Sequence, residues 1–345
     1  MSNRENSMRA VLKKPLVWLS VVLLAGVFGR IYSRSRTVLG AEGGGVRTVA
    51  ITQIVEHLSL DQERAGILEV LDEAGFIDGK NLKLVYQNAQ GSPVTSTQIA
   101  QNLVSMQPDV IVAISTPSAQ SVLSALRGQV IPVVFTAVSD PVSARLVPSL
   151  LHPGPGITGV TDLLSPESQL QFVRRWIPQL KNLGVIYNPG ESNSAALLKG
   201  LEAVARSSAI HLVPATAGRS GEVVAAAQSL VGRVDAIYVP NDNTAVSAIE
   251  SIVHVGVKNK LPVFAGDMGS VVRGAIGMAG YNRKKLGRVA GEKVVQILRQ
   301  GMQQEMPIAA QHPVEMTLNR EAAARMGARI PADLPPNVQW LGGAK

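Results

Sequence analysis

The chain has 345 residues, of which 33 are lysine or arginine and 25 are aspartate or glutamate, giving a formal net charge of +8 at pH 7. Hydrophobic residues make up 46% of the sequence, which is enough for packed cores and excludes a disordered protein. The absence of cysteine excludes disulfides, thiolate metal sites, a catalytic thiol and a lipid-modified cysteine near the N-terminus.

The first element in chain order is a leader at residues 1–45. Basic residues precede an uncharged apolar run at 16–28, which is shorter than the ~20 residues that span a bilayer and fits a secretion signal. Three arginines follow this run, so cleavage near Gly40-Ala41 and retention as an anchor both stay open. We expect an exported protein that is periplasmic or membrane-anchored outside the cytoplasmic membrane.

The charge of the remaining chain bears on possible partners. Residues 1–41 hold seven basic residues and one acidic residue, so the rest of the chain carries a net charge of only +2. A protein that binds nucleic acid concentrates basic residues on its folded domain. Nucleic acid is therefore excluded as a partner.

From residue 46 onward, short apolar runs alternate with longer helical patterns. Several runs are continuously apolar, as in parallel strands covered by helices on both faces. Strands are predicted at 46–52, 82–86, 109–114, 131–135, 183–187, 210–213, 234–239, 261–265 and 275–279. Helices are predicted at 59–75, 95–107, 117–127, 166–179, 192–208, 221–231, 243–259 and 283–300. This order predicts an α/β protein with parallel sheets and right-handed crossovers.

One segment interrupts the series. Residues 148–166 are rich in proline and glycine, which is typical of a hinge, and about four strand–helix units lie on each side. The predicted fold class is therefore α/β, with two doubly wound parallel-sheet lobes joined by a hinge. Ligands of such sheets bind beyond the carboxyl ends of the strands, so the cleft between the lobes is the predicted site.

Small polar side chains follow the predicted strands of the first half. Ser115, Thr116 and Ser118 surround a proline suited to the first turn of a helix, where free N–H groups and hydroxyls could hold an anion. An ordinary helix cap would need the same residues, so both interpretations stay open. Thr136 and Ser139 follow the neighbouring strand and favour the ligand site, because the two strand ends converge.

The strand ends of the second half carry carboxylates. Asp242 and Asp267 could pair with an ammonium group across the cleft, or could simply cap the helices that follow them. Tyr187 and Tyr281 could contact a flat ligand or belong to the core. The basic cluster Arg283, Lys284, Lys285 and Arg288 is typical of a solvated helix face.

The sequence lacks the patterns of common catalytic sites. It has no P-loop, no glycine-rich dinucleotide fingerprint after a strand and no nucleophile elbow. The five histidines are isolated, without metal-ligand spacing, and His57 alone lies at a predicted strand end. The sequence therefore predicts no catalytic residue, no metal site and no cofactor.

Several segments together resemble a known family. ITQIVEH, DVIVAISTPSAQ, VVFTAVSDPV, GVTDL, LGVIYNPGESNS and PVFAGD resemble the substrate-binding proteins of bacterial ABC transporters, and the similarity extends from about residue 46 to LNREAAARMGARIP. The resemblance implies the type I periplasmic-binding-protein fold, with two α/β lobes, three crossovers and a ligand enclosed between them. With these crossovers, the first lobe comprises 46–157 and about 281–312, and the second comprises 158–280 and about 313–345.

The resemblance also implies roles for individual residues. In amino-acid binders of this fold, the first lobe holds the ligand carboxylate, which here implies Ser115, Thr116, Ser118, Thr136, Ala137 and Ser139. In the same proteins the second lobe holds the ammonium with an acid that corresponds to Asp267. Asp242 and Asn243 lie where these proteins make a further contact with the ligand. The remaining candidates, all at strand ends, are Gln53, Glu56, Asp140, Tyr187, Asn193 and Tyr281.

We therefore expect a monomeric solute-binding protein of an ABC importer. It would bind a small ligand, an amino acid and in particular an aromatic one, by closing its lobes and would then dock on the permease subunits in the membrane. Two alternatives stay open: a membrane-anchored sensor with the same lobes, and an α/β enzyme that uses Asp242, Asp267 or His57. The enzyme would need a nucleophile–base pair that the sequence does not display.

Overall fold

The computed structural model describes residues 45–342. The predicted leader at 1–45, with its apolar run and possible cleavage site, therefore lies outside the described residues except for its last position. Among residues 45–342, no helix is both long and apolar enough to cross a membrane.

The first lobe is built on a five-stranded parallel sheet with strand order β2-β1-β3-β4-β5. Its strands are β1 (Arg47–Gln53), β2 (Leu82–Asn88), β3 (Val110–Ile114), β4 (Val133–Val138) and β5 (Ile157–Thr161). The helices of this half are α1 (Leu58–Glu73), α2 (Pro93–Ser105) and α3 (Thr116–Leu126). Every residue of β3 and β5 is buried, which explains the continuous apolar run of β3.

The second lobe repeats this arrangement with a four-stranded parallel sheet of order β7-β6-β8-β9. Its strands are β6 (Asn182–Tyr187), β7 (His211–Thr216), β8 (Ala236–Val239) and β9 (Val263–Ala265). Its helices are α4 (Pro166–Trp176), α5 (Ser192–Ser207), α6 (Val223–Leu230), α7 (Asn243–Ser247), α8 (Ile249–Asn259) and α9 (Met268–Val272), with a 3₁₀ turn at Ser220–Glu222. The predicted α/β class with two parallel-sheet lobes is confirmed.

A third, smaller sheet differs from the prediction. It comprises β10 (Gly277–Gly280), β11 (Glu315–Asn319) and β12 (Gln339–Leu341). Strands β10 and β11 are antiparallel, and β11 and β12 are parallel. The long helix α10 (Arg283–Gln300) lies between β10 and β11 in the chain, and the short helix α11 (Arg320–Met326) follows β11.

The predicted hinge segment at 148–166 contains a strand. Strand β5 lies within it and pairs with β4, so the first sheet continues past residue 157, where the sequence analysis ended the lobe. The two apolar cores locate the crossings of the chain: one core includes Val49 to Leu164 and Tyr281 to Ile308, and the other includes Leu170 to Ile276 and Leu318 to Met326. The chain passes between these cores three times.

Helix α10 packs closely on α1, and this contact places charged residues between the lobes. A Cβ atom at Gly287 would lie 2.0 Å from the main-chain oxygen of Glu63, and one at Gly66 would lie 2.3 Å from that of Lys284. Only glycine permits this approach of the two backbones. The first residue of α10, Arg283, is thereby held beside Glu63 of α1.

Candidate functional site

A small cavity lies where the carboxyl ends of the strands of both lobes meet. The first lobe contributes His57, Ser59, Leu60, Ala137 and Ser139. The second lobe contributes Asn193, Asn241, Asp242, Asn243, Val246 and Asp267. Asp162 and Arg283, which follow β5 and β10 where the chain crosses between lobes, complete the lining. Most of the lining residues are polar or charged, and Leu60, Ala137 and Val246 are the apolar ones.

A buried ion-pair cluster forms one wall of the cavity. Arg283 is 4% exposed and its Nη1 donates to Glu63, at 3.0 Å, and to Asp162. Burial lowers the pKa of Arg283, but the attraction of Asp162 and Glu63 outweighs it and raises that pKa. Glu63 also accepts from the hydroxyl of Thr136, and burial raises the pKa of Glu63 to about 7.

The prediction that Arg283 belongs to a solvated helix face is wrong, because the N-terminus of α10 inserts between the lobes. The other basic residues of that cluster do lie toward solvent. They form ion pairs with surface acids: Lys284 with Glu69, Lys285 with Glu315, and Arg288 with Glu69 and Glu73.

Asp242 caps α7 and joins two strand ends. Its Oδ1 accepts from the main-chain N–H of Ala245 at 2.7 Å, and its Oδ2 accepts from that of Asn188 at 2.6 Å. Burial, together with the nearby charge of Glu191, raises the pKa of Asp242 to about 7. Glu191 is itself held by donors from Asn243 and Thr244. Asp242 therefore serves as a helix cap within the wall of the cavity.

Asp267 caps α9 and also links the lobes. Its Oδ1 accepts from the main-chain N–H of Ser270 at 3.0 Å and from the hydroxyl of Ser59 on α1. Its Oδ2 accepts from the hydroxyl of Ser270. The bond from Ser59 joins helices of the two lobes at the cavity, so it depends on the lobes being close together.

Four polar atoms of the lining have no hydrogen-bond partner within residues 45–342. They are Oδ1 of Asp162, Oδ1 of Asn193, Oδ1 of Asn241 and Nε of Arg283. Asp162, Asn193 and Arg283 are buried, and Asn241 is partly buried. Leaving such a group unpaired costs about 1–3 kcal/mol, more when it is charged, so each atom is a candidate contact for a ligand.

The histidine of the lining is neutral at physiological pH. The Nδ1 atom of His57 accepts from the main-chain N–H of Leu60 at 3.5 Å, at the start of α1. Burial lowers the pKa of His57 to about 4. His57 therefore contributes a dipole to the cavity and not a charge.

The structure brings six of the predicted site residues to the cavity. They are Ala137, Ser139, Asn193, Asp242, Asn243 and Asp267. Ala137 has a φ of +54°, a left-handed conformation that brings the main chain at the end of β4 into the lining.

Four other predicted residues lie behind the cavity wall. Ser115, Thr116, Ser118 and Thr136 are buried but do not line it. The main-chain N–H of Ser115 donates to the carbonyl of Thr136 at 2.9 Å, so these strand ends do converge. The hydroxyl of Thr136 is occupied by Glu63.

The remaining candidates lie away from the cavity, because other groups hold them. The amide of Gln53 bonds Val55, Asp61 and Arg64. Glu56 is exposed and accepts from Tyr86, and Asp140 accepts from the N–H of Ser143. Tyr187 is outside the lining, and the hydroxyl of Tyr281 donates to the carbonyl of Leu163.

The sequence analysis missed the cluster of Glu63, Asp162 and Arg283. Asp162 directly follows β5, and Arg283 stands three residues after the end of β10, so both lie at strand ends, where the sequence predicts ligand contacts. Asp162 was missed because β5 was interpreted as hinge, and Arg283 because its basic neighbours are exposed. Glu63 lies within α1, where no sequence pattern distinguishes it from the surface acids Glu69 and Glu73.

A larger cleft opens beside the cavity and shares Asn243 with it. It is lined by both lobes, by residues that include Pro117 and Gln120 on one side and Asn188 and Arg219 on the other. The amide of Gln120 donates to the hydroxyl of Ser192 at 3.0 Å, a second bond between the lobes.

A family comparison matches most of the chain. The model of the family described as ABC transporter substrate binding protein matches residues 48–336. A curated relative, a tyrosine-binding protein of Clostridioides difficile strain R20291, is 38% identical over 296 residues, which cover 86% of this chain and 84% of the relative.

Two solved structures extend this comparison. The ABC domain from Streptococcus pneumoniae, in complex with L-Trp, is 27% identical and superposes with a TM-score of 0.81, covering 86% of this chain and all of that one. A ligand-free, open substrate-binding protein with adhesive properties from Clostridium difficile is 36% identical, with a TM-score of 0.64, covering 86% of this chain and 99% of that one.

Proposed function

This chain belongs to the family of ABC transporter substrate-binding proteins, and we propose that it delivers an aromatic amino acid to an ABC importer outside the cytoplasmic membrane. Its family and relatives are solute-binding proteins and not enzymes. It binds a small ligand as part of an ABC transporter.

The observation that carries the proposal is the cavity between the lobes, which offers charges of both signs. Asp162 and Arg283 supply opposite charges, as the ammonium and carboxylate of an amino acid require. Leu60 and Val246 supply apolar contacts for a side chain.

The aromatic nature of the ligand is supported by two relatives. One is a tyrosine-binding protein and the other was solved with L-Trp bound. No phenylalanine, tyrosine or tryptophan among the described residues lines the cavity, so an aromatic ligand would pack on aliphatic side chains and on the imidazole of His57.

Closure of the lobes is the proposed mechanism of recognition. The hydrogen bonds from Ser59 to Asp267 and from Gln120 to Ser192 join the lobes directly. The chain superposes better on the tryptophan complex than on the open, ligand-free relative, although it is more identical in sequence to the latter. Ligand contacts from both lobes would stabilise this closed arrangement, and the permease would recognise it.

Thermal unfolding of the purified protein with a panel of ligands tests the proposal. A ligand that binds only the folded state raises the melting temperature by mass action. We expect L-tyrosine, L-tryptophan or L-phenylalanine to raise it, and myo-inositol and D-arabinose to leave it unchanged. A rise with the sugars and with no amino acid would contradict the proposal.

A further inference from the structure

The three carboxylates of the cavity differ in whether one of their oxygens lacks a hydrogen-bond partner and can accept from a ligand. Both oxygens of Asp242 accept main-chain N–H groups, and both oxygens of Asp267 accept from serines 59 and 270. Asp162 is different: its Oδ2 accepts from Arg283 and, at 3.1 Å, from Asn241, while its Oδ1 has no partner in the described chain. Asp162 is 2% exposed, so its Oδ1 cannot be satisfied by bulk water.

Asn193 and Asn241 each place a further unpartnered acceptor at the same cavity. Asn193 is the more buried of the two, at 4% exposed, and its Nδ2 donates to the carbonyl of Asn241 at 3.0 Å. The same Nδ2 contacts Glu191, an acceptor that fixes which way the amide faces. The Oδ1 atom of Asn193 is left without a donor among residues 45–342. An ammonium group has three donors and no acceptor, so it matches two such oxygens.

Arg283 supplies the opposite kind of group. Its Nη1 holds Glu63 and Asp162, while its Nε is a buried donor without a partner in the described residues. Because Arg283 and Asp162 are joined directly, the unpartnered donor and the unpartnered acceptor belong to adjacent side chains. The ammonium and the carboxylate of an α-amino acid are adjacent in the same way, on one carbon atom.

We propose that Asp162 and Asn193 bind the α-ammonium group of the ligand and that Nε of Arg283 binds its α-carboxylate. The site thereby selects free, zwitterionic α-amino acids. This assignment rests on the proposed function and deepens it. Asp162 follows a strand of the first lobe and Asn193 lies on a helix of the second, so the ammonium group bridges the lobes. The family resemblance implies that Asp267 binds the ammonium group. In this assignment Asp267 instead joins the lobes through its hydrogen bond with Ser59.

Titration calorimetry of the wild-type protein with ligand analogues tests the assignment without any substitution. L-Tryptophan is compared with 3-(indol-3-yl)propionate, which lacks the ammonium, and with tryptamine, which lacks the carboxylate. L-Tyrosine is compared with 3-(4-hydroxyphenyl)propionate and tyramine. Each analogue leaves a charged, buried group unpaired, so we expect its affinity to be at least about tenfold lower than that of the amino acid.

The variant Asp162→Asn identifies the residue that binds the ammonium. It keeps the size of the side chain and removes its charge, so affinity for the amino acid should fall at least about tenfold, whereas affinity for the propionate analogue should not fall. Asp109→Asn is the matched control. Asp109 is an acid of the same lobe at the opposite, amino-terminal edge of the sheet, where it pairs with Arg47, and its replacement should change neither affinity.

The outcomes separate this assignment from the function on which it rests. Equal binding of an amino acid and its propionate analogue by the wild type would overturn the assignment and leave the function standing. Unchanged affinity in a folded Asp162→Asn variant would do the same. If circular dichroism shows that this variant does not fold, the analogues decide alone. Binding of no amino acid at all would overturn both.

Discussion

Glu63 illustrates how burial of a single acid affects stability. It is fully enclosed, and burial raises its pKa from 4.5 to about 7 despite the neighbouring Arg283. The folded state therefore binds this proton more tightly than the unfolded state does. The stabilising contribution is complete below pH 4.5 and is lost as the pH rises through 7. The acid is most favourable to folding when it is protonated.

Replacing Glu63 by glutamine removes this titration. The free energy of unfolding of the wild type, minus that of Glu63→Gln, should fall by about 3 kcal/mol between pH 4.5 and pH 7. Asp242 and His57 also titrate in the folded protein, but they are present in both proteins and cancel in the difference. Urea unfolding across this interval measures the difference.

Glu69→Gln is the control on the same helix. Glu69 is exposed, and hydrogen bonds from Arg288 and Lys284 lower its pKa, so its contribution is lost only below pH 4.5. The free energy of unfolding of the wild type, minus that of Glu69→Gln, should not change between pH 4.5 and pH 7. A wild-type minus Glu63→Gln difference that is equally flat, or that rises, would contradict the account of Glu63.

At the scale of elements, the contact between α10 and α1 sets the position of Arg283. Gly287→Ala would place a Cβ atom 2.0 Å from the main-chain oxygen of Glu63, so the helices must separate. Overpacking of this kind costs about 1–3 kcal/mol of stability. We also expect weaker ligand binding, because Arg283 would move relative to Asp162. Urea unfolding and titration calorimetry measure the two effects.

Gly221→Ala is the matched control for this substitution. Gly221 lies in the 3₁₀ turn, and no atom lies within 4 Å of a Cβ built there. The free energy of unfolding of Gly221→Ala should differ from that of the wild type by no more than about 0.5 kcal/mol. If Gly287→Ala were as stable as Gly221→Ala, the contact between α10 and α1 would not be close in solution.

The bond from Ser59 to Asp267 should act on closure and not on folding. Ser59→Ala removes a hydrogen bond between the lobes that exists only when they are close together. Ligand affinity should fall roughly fivefold, which corresponds to about 1 kcal/mol. The free energy of unfolding of the ligand-free protein should change by less than about 0.5 kcal/mol. A loss of stability without a loss of affinity would show that the bond does not belong to closure.

The elements that the sequence predicted are those with a strong apolar signal. Strands β1 to β4 and β6 to β9 are short apolar runs, and all were predicted to within a few residues. β5 was missed because its sequence, ITGVT, contains a glycine and follows a segment rich in proline and glycine. β12 was missed because its three residues are exposed or only partly buried and show no buried pattern.

The sequence predicts a site residue only where it also predicts the strand that the residue follows. Asn193, Asp242, Asn243 and Asp267 were found because they follow strands that the apolar pattern revealed. Burial of Arg283 depends on how α10 inserts between two lobes, which is a property of the whole molecule and not of the local sequence. Which acceptors stay unpartnered also depends on that packing, so Asp162 could not be chosen over Asp267 beforehand.

At the scale of the whole molecule, we propose that two lobes close on a ligand. The two cores are separate and the chain passes between them three times. We therefore expect the lobes to move as rigid bodies about these crossings. Asp162 and Asn193 come from different lobes, so the ligand bridges them only when they are close together.

Small-angle X-ray scattering of the purified protein, with and without saturating L-tryptophan or L-tyrosine, measures whether the lobes close on the ligand. We expect the radius of gyration to fall when either amino acid binds, and Asp162→Asn to need at least about a tenfold higher ligand concentration for the same fall. A radius of gyration that stays constant while calorimetry shows the site to be saturated would contradict closure of the lobes on the ligand.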